Sequence, residues 1–539
     1  MAKLDLSTRG LQDRAAWEAA GYALPQYDRE VMIAETLENP QWIHFGAGNI
    51  FKAFQANRAQ DLLNDGTLKT GIIAVERSKR GGDDHDGYTV LVTLKADGTV
   101  QKTVIGSIAK THYLYGEEAA LKELFKKPSL QIVSFTITEK GYSLVDGRGE
   151  TLADVASDLE AGPEAPQSYM AKLTALLLAR YEAGAFPIAM VSMDNCSHNG
   201  DKLRAAVSAF AKAWAEKGLV PQGFAGYIAD PLKVGFPWTM IDKITPSPDL
   251  TVGNLLEKDG LEGFAPVVTP RGTHVAPFVN AEESEYLVLE DHFPNGRPAL
   301  EKAGFIFTQR ETVDKVERMK VCTCLNPLHT SLAVYGCLLG YERIYEEMND
   351  PQLLGLIKTV GYVEGLPVVT DPGVIDPKEF IDTVVNVRLP NPFMPDMPQR
   401  IATDTSQKLP IRFGETIKAY MASSTLKVQD LKLIPLVFAG WLRYLMAVDD
   451  KGQSFTLSPD PLLDTVCPYV QGFKLGQELS AEEAKAKLSG LLSNAAIFGV
   501  DLTAIGMADT VCAYFTELIR GEGAVRATLK KYIPDGGNC

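Results

Sequence analysis

Trp42-Ile43-His44-Phe45-Gly46-Ala47-Gly48-Asn49-Ile50-Phe51 is the stretch on which the fold turns. Trp42 to Phe45 reads as a short buried strand, Gly46 to Phe51 as a glycine turn, and Lys52 to Leu63 as a helix that Asn64-Asp65-Gly66 ends. Gly71-Ile72-Ile73-Ala74-Val75 follows as a second apolar strand closing in Glu76-Arg77. Strand, glycine turn and helix are the context a dinucleotide fingerprint needs, because glycines let the backbone approach a pyrophosphate and the helix N-terminus favours its charge. Phe45, Gly46, Gly48, Asn49, Ile50 and Phe51 are therefore expected to hold a cofactor. Phe51 stands where the usual pattern has its third glycine, so an ordinary turn fits the same residues. Glu76 is placed to accept from the ribose hydroxyls of NAD, whereas Arg77, Lys79 and Arg80 would meet the 2′-phosphate of NADP.

Outward from this unit, Tyr88 to Leu94 and Val100 to Ile105 read as an inserted hairpin across Asp97-Gly98. Leu130 to Ile137 reads as a parallel-type strand, and the turn after it offers Thr138 and Glu139 to a cofactor. Phe186 to Ser192 reads as another buried strand, running into Met193-Asp194-Asn195-Cys196-Ser197-His198-Asn199-Gly200. Ligands of such sheets sit at the carboxyl ends of strands, which suits Asn195; equally, Asp194 and Asn195 would cap a helix starting near Asp201. The first forty residues read as a leader with short helices, order beginning at Trp42.

Near Phe293-Pro294-Asn295-Gly296-Arg297-Pro298 the texture changes to helical periodicity, with helices expected over 330–348, 352–364, 411–424, 431–447, 481–493 and 505–519. The expected class is α/β. A Rossmann-type dinucleotide-binding domain with its leader would span residues 1–300, and a mainly α-helical domain residues 301–539.

The helical part opens on Lys320-Val321-Cys322-Thr323-Cys324-Leu325-Asn326-Pro327-Leu328-His329, a base, an amide and an imidazole within ten residues. A desolvated lysine can act as general base near neutral pH, and amide and imidazole donors can hold a developing oxyanion. Asn-Pro is also a common helix start, with Asn326 as N-cap and Pro327 at the first helical position.

Whole-chain properties bound these readings. A length of 539 residues exceeds one ordinary core, and 45% hydrophobic with 22% charged residues is a globular composition without a membrane span. A formal charge of −15 excludes nucleic acid and anionic membrane as general partners. Seven scattered cysteines suit reduced thiols, Cys322 and Cys324 are too isolated for zinc, and the start of the chain has no apolar signal segment. A cytoplasmic protein with no metal, acting on a small molecule, is the expectation; oligomeric state stays open.

With these pieces assembled, the chain resembles the mannitol dehydrogenase family of polyol-specific long-chain dehydrogenases. The resemblance runs from about Tyr27 to near the C-terminus, through Ile43 to Gly48 with Lys52-Ala53-Phe54, Thr136 to Tyr142, Ser192 to Asn195 with His198-Asn199-Gly200, and Phe236 to Pro246. It continues through Glu290 to Pro298, Lys320 to His329, Arg388 to Pro392 and Asp404 to Pro410. It implies a Rossmann-type domain, a mainly helical domain, a site in the cleft between them, and metal-free hydride transfer between a nicotinamide and a secondary alcohol.

Carried over, Lys320 is the general acid/base, Asn195 and Asn326 hydrogen-bond the reacting oxygen, His329 orients the substrate or Lys320, and Glu317 lies on the proton path. Arg388, Lys408 and Asp242 match substrate-facing positions. Arg388, Lys408 and His329 together suit a carboxylate, which favours a sugar acid, D-fructuronate going to D-mannonate, over tagaturonate or a mannitol-type polyol.

One departure sets a structural problem. The family's lysine usually precedes its asparagine by five residues, and Lys320 precedes Asn326 by six. At about 100° per residue one straight helix would put Lys320 and His329 on opposite faces. A π-bulge or loop through Cys322 to Leu325 would absorb the extra residue.

Overall fold

The computed structural model describes residues 3–79, 85–268 and 274–534; Arg80 lies outside them. The chain divides into two compact units, Met1–Asp314 and Lys315–Cys539, with the division inside one helix, Arg310–Met319.

The first unit is built on six parallel strands: β1 (Trp42–Phe45), β2 (Ile72–Glu76), β3 (Ile108–Tyr113), β4 (Ile132–Phe135), β5 (Ile188–Ser192) and β6 (Val234–Gly235). Their order across the sheet is β3-β2-β1-β4-β5-β6. That is the doubly wound dinucleotide-binding order, whose direction of winding reverses at β1/β4. Both faces are covered, as an all-parallel sheet requires. Ile43, Phe45, Val133 and Phe135 enter one core, and Trp42, Ala74, Ile132 and Val191 enter another. This is why these strands read as unbroken apolar runs rather than alternating ones.

The hairpin Thr89–Leu94 with Val100–Ile105 pairs antiparallel, as expected, but belongs to a separate four-stranded sheet completed by Phe278–Glu282 and Tyr22–Ala23. Tyr22–Ala23 corrects the expectation that order begins at Trp42. Trp17 is fully buried, sets its ring edge-on to Tyr22 at 5.1 Å and donates from Nε1 to the carbonyl of Gly10, and Leu4 donates its N–H to the carbonyl of Gly260. Scattered apolar residues among polar ones gave no period here, because the segment is held by long-range packing rather than by its own helices.

The second unit is helical. Leu433–Tyr444 is buried along its whole length, and the Glu364 carboxylate caps it by accepting from the N–H groups of Lys432, Leu433 and Ile434. Tyr335 on Asn326–Leu339 donates its hydroxyl to the carbonyl of Leu436, fixing that helix against it. The helix expected over 330–348 ends at Leu339, where Gly340 takes φ +78°, a left-handed stop that glycine favours. The others fall close to their expected spans, except that π turns interrupt them at Thr359–Gly365 and Pro410–Gly414.

Candidate active site

In the first unit the candidate residues other than Asp242 lie at the carboxyl ends of β1, β2, β4 and β5. After β1, Gly46 takes φ +89°, and a Cβ there would sit 2.2 Å from the carbonyl oxygen of Thr136. Only glycine fits. A Cβ on Gly48 would meet nothing nearer than 3.8 Å, so that glycine leaves open space above the turn. Asn49, Ile50 and Phe51 begin the helix that follows, and the first N–H groups of a helix have no intrahelical partner. The helix expected from Lys52 starts as a π turn, Phe51–Gln55, and turns regular at Ala56–Asn64.

Phe45 and Phe51 are fully buried, so only their backbone is available to a ligand. Phe51 stacks at 3.9 Å on His44, whose nitrogens meet the hydroxyls of Ser134 and Thr136 at 2.7 and 2.9 Å. Burial pulls the His44 imidazole down to about 3, so it is neutral scaffolding under the turn. Glu76 closes β2, half-buried, and the Arg77 guanidinium lies 5.1 Å over the ring of Tyr115, which Lys172 also faces at 4.7 Å.

Thr138 and Glu139 are exposed after β4, and Glu139 pairs with Lys202. Thr138 holds φ +66°, a strained position for a β-branched residue that costs about 1–3 kcal/mol. Asp194 pins it, accepting from the N–H groups of Ile137 at 3.0 Å and Thr138 at 2.8 Å and from the hydroxyl of Tyr142. Burial pushes the Asp194 carboxyl up against those three donors. The capping alternative for Asp194 and Asn195 is thereby corrected. The helix runs Asn199–Glu216 with left-handed His198 at its cap, and Asp194 spends its carboxylate on the neighbouring strand end. Asn195 is exposed, and its amide has no hydrogen-bond partner among the described residues. Asp242 is buried at the end of Thr239–Asp242, paired in register with Tyr286 of a separate three-stranded sheet.

In the second unit the extra residue is absorbed as a π turn. Arg310–Met319 is α-helical and carries half-buried Glu317, Lys320–Cys324 is π, and the N–H of Leu325 returns to the carbonyl of Lys320 at 3.1 Å. Leu325 then breaks the ladder at φ −130°, ψ −61°, and Asn326–Leu339 begins a new helix. The stretch is not one straight helix, as the expected π-bulge requires, although the π turn begins at Lys320 rather than Cys322, and Lys320 is 5% exposed. Leu325 holds the cap position rather than Asn326, which lies in the first turn beside Pro327. The half-buried Asn326 amide, freed from capping, has no hydrogen-bond partner among the described residues.

His329 Nε2 stands 3.5 Å from a carboxylate oxygen of Asp396, too long for a hydrogen bond, and is otherwise unpartnered among the described residues. Burial, only partly opposed by Asp396, pulls the imidazole down to about 4, so it is neutral and this contact is not an ion pair. Arg388 is buried at the end of a further π turn, Val384–Arg388. Lys408 donates to the carbonyls of Thr403 and Ile401, and burial and then Arg412 lower its pKa.

A family model described as the mannitol dehydrogenase Rossmann domain matches residues 40–302, and one described as the mannitol dehydrogenase C-terminal domain matches residues 312–518. The chain belongs to the mannitol dehydrogenase family. Within it, the chain is 47% identical to D-mannonate oxidoreductase of Thermotoga maritima, covering 98% of this chain and 99% of that protein. Among solved structures, a substrate-free D-sorbitol dehydrogenase superposes with TM-score 0.77 at 26% identity, covering 95% of this chain and 98% of that one. Pseudomonas fluorescens mannitol 2-dehydrogenase, in ternary complex with NAD and D-mannitol, superposes with TM-score 0.67 at 28% identity, covering 98% and 99%.

Two residues of this family member escaped the sequence reading. Asp194 was seen only as a cap, although an acid ending one buried strand beside a second strand's turn is a tie in waiting. Arg412, four residues after Lys408, is placed by a π turn that leaves no periodic signal.

Proposed function

We propose that this protein is an NAD(H)-dependent oxidoreductase that interconverts a hexuronate ketone and its secondary alcohol, D-fructuronate and D-mannonate, with Lys320 as acid/base. The observation that carries the reading is the π turn Lys320–Cys324, which buries the lysine and leaves the Asn326 amide uncommitted. The sugar acid is suggested by the D-mannonate oxidoreductase at 47% identity and by the cations around His329.

The residues of the first unit fit a dinucleotide. The open space at Gly48 and the helix start at Asn49 to Phe51 would take the pyrophosphate, and Glu76 at the end of β2 would accept from the ribose hydroxyls, favouring NAD over NADP. Arg77 lies over Tyr115, which occupies the cation nearest Glu76 in sequence. Thr138 and Glu139 line the strand end beside the glycine turn. When bound, the nicotinamide supplies hydride to the ketone carbon in one direction and takes it back in the other.

Negative charge then grows on the ketone oxygen. Asn195 and Asn326 donate N–H groups to that oxygen, and Lys320 passes it a proton, so that C=O plus hydride and proton becomes CH–OH. Preorganised donors of this kind are worth about 10²–10³ in rate each. Glu317, one helical turn before Lys320, relays the replacement proton. Neutral His329 donates to or accepts from a substrate hydroxyl without competing for charge. Arg388, Lys408 and Asp242 grip the remaining hydroxyls and the acid end.

The test is NADH and NADPH oxidation against D-fructuronate, D-tagaturonate and D-fructose. Fructuronate with NADH is expected to give the highest kcat/KM. Activity confined to tagaturonate or fructose would reassign the substrate, and inertness of all three with both cofactors would refute the function.

A further inference from the structure

The second unit holds a charge that its own residues leave unbalanced. Arg412 lies within the π turn Pro410–Gly414, which packs directly on the Lys320–Cys324 turn; Thr416, just beyond it, donates its hydroxyl to the carbonyl of Cys322. Its guanidinium makes one hydrogen bond, to the hydroxyl of buried Thr330, and no carboxylate partners it among the described residues. Burial alone lowers its pKa, to about 10. Lys408, one turn earlier, and Arg400 add further positive charge nearby. Of the acids at hand, Asp396 is already taken by Arg400, Asp460 is spent on the N–H and hydroxyl of Ser406, and Asp404 acts on Lys408. In a chain of net charge −15, this is a local excess of cations around an imidazole that is neutral.

Arg412 is half-buried, and a guanidinium withdrawn from water without a counterion is costly. Thr330 uses one edge of the fork and leaves the remaining N–H groups for a planar acceptor. A carboxylate fits that geometry bidentately, and a hydroxyl does not. We propose that Arg412, steadied by Thr330 and seconded by Lys408, binds the carboxylate of the sugar acid and thereby sets the preference for acids over neutral polyols. The proposal rests on the hexuronate reading above and adds a specificity-determining residue to it.

The experiment measures binding of D-mannonate and of D-mannitol by calorimetry on the NAD-saturated protein, for the wild type and for Arg412→Gln, Arg412→Lys and Thr330→Val, each checked by thermal unfolding. The wild type is expected to prefer mannonate, and Arg412→Gln to reduce that preference roughly 100-fold, the size of a charged bidentate contact. Arg412→Lys should keep part of it, since the charge stays and the fork is lost. Thr330→Val should weaken it without abolishing it. A wild type without preference for the acid overturns the proposal, as does an unchanged preference in whichever of the Arg412 variants folds. The NADH oxidation assay separates the two claims. Turnover of fructuronate with an unaltered Arg412→Gln preference removes Arg412 and keeps the function; acid binding through Arg412 without hexuronate turnover keeps Arg412 and removes the function.

Discussion

The two units carry their candidate residues by different means. In the first, Gly46, Glu76, Thr138 and Asn195 stand at or just past the ends of parallel strands, and the register shift of β2 against β3 lies at the other end of β2, between Ile72 and Ile73. In the second, Lys320 begins a π turn, Arg388 ends one and Arg412 lies within one. A sheet delivers side chains to one edge by topology, so its strands can stay regular, and the π turn Phe51–Gln55 after β1 carries a fully buried Phe51 rather than aiming a side chain at a ligand. A helical unit has no such edge, and it aims side chains by inserting residues that rotate the helix beyond the insertion. The cost is a poorer hydrogen-bond ladder at each insertion, which is why π turns survive mainly where function holds them.

The sharpest way to break this contrast is to change the length of the Lys320–Cys324 turn. The π turn absorbs one extra residue, so inserting an alanine after Val321 should leave a further residue unabsorbed and rotate Lys320 by about 100° relative to His329. Turnover should fall by about 10³-fold while NADH binding stays as in the wild type, whereas deleting Val321, which restores the five-residue spacing, should cost far less. An insertion variant of near-wild-type activity would show that the turn does not aim Lys320.

The contrast is sharpened by the two glycines of the first unit. Gly46→Ala meets both a positive φ and the Thr136 carbonyl, and should destabilise the unit by about 2–4 kcal/mol in denaturant unfolding. Gly48→Ala has room for its methyl, so it should leave stability nearly unchanged and raise KM for NADH about tenfold. Equal stability losses in the two variants would deny Gly48 a ligand-facing role.

The smallest expected effect is on pH. His44 and His329 have folded-state values lowered to about 3 and about 4, below the ordinary imidazole value near 6.5. Lowered values favour the neutral ring, so each contributes stability above pH 6.5 that is lost as pH falls toward the folded value. Each should steepen the loss by roughly 1.4 kcal/mol per pH unit at most. Unfolding free energies of His329→Asn between pH 6.5 and 4.5 should lose one proton's worth of that slope, and an unaltered slope would mean that the ring is charged in the fold.

The same contrast explains what was legible in the sequence. Strands β1, β2, β4 and β5 were readable because burial on both faces writes continuous apolar runs, and Gly46 was readable because glycine marks a left-handed turn. Unreadable were the leader's packing, since Trp17 and Tyr22 are held by residues more than two hundred positions away such as Leu256, and the partner of Asp194, which lies on another strand end. In the helical unit, Lys320, Asn326 and His329 were recognisable as types in a row, and the six-residue spacing flagged an insertion. Where the insertion sat, and that Leu325 rather than Asn326 takes the cap, depended on which backbone carbonyl Leu325 chose. Arg412 stayed hidden because a π turn carries no period of its own.

The central claim is that the π turn presents Lys320 as the acid/base, and the most direct test is NADH oxidation by Lys320→Ala with saturating D-fructuronate, alongside NADH binding by fluorescence. Loss of turnover by about 10³-fold with unchanged NADH affinity is predicted, within the range general acid–base catalysis supplies. An unchanged rate in a folded Lys320→Ala protein would contradict it.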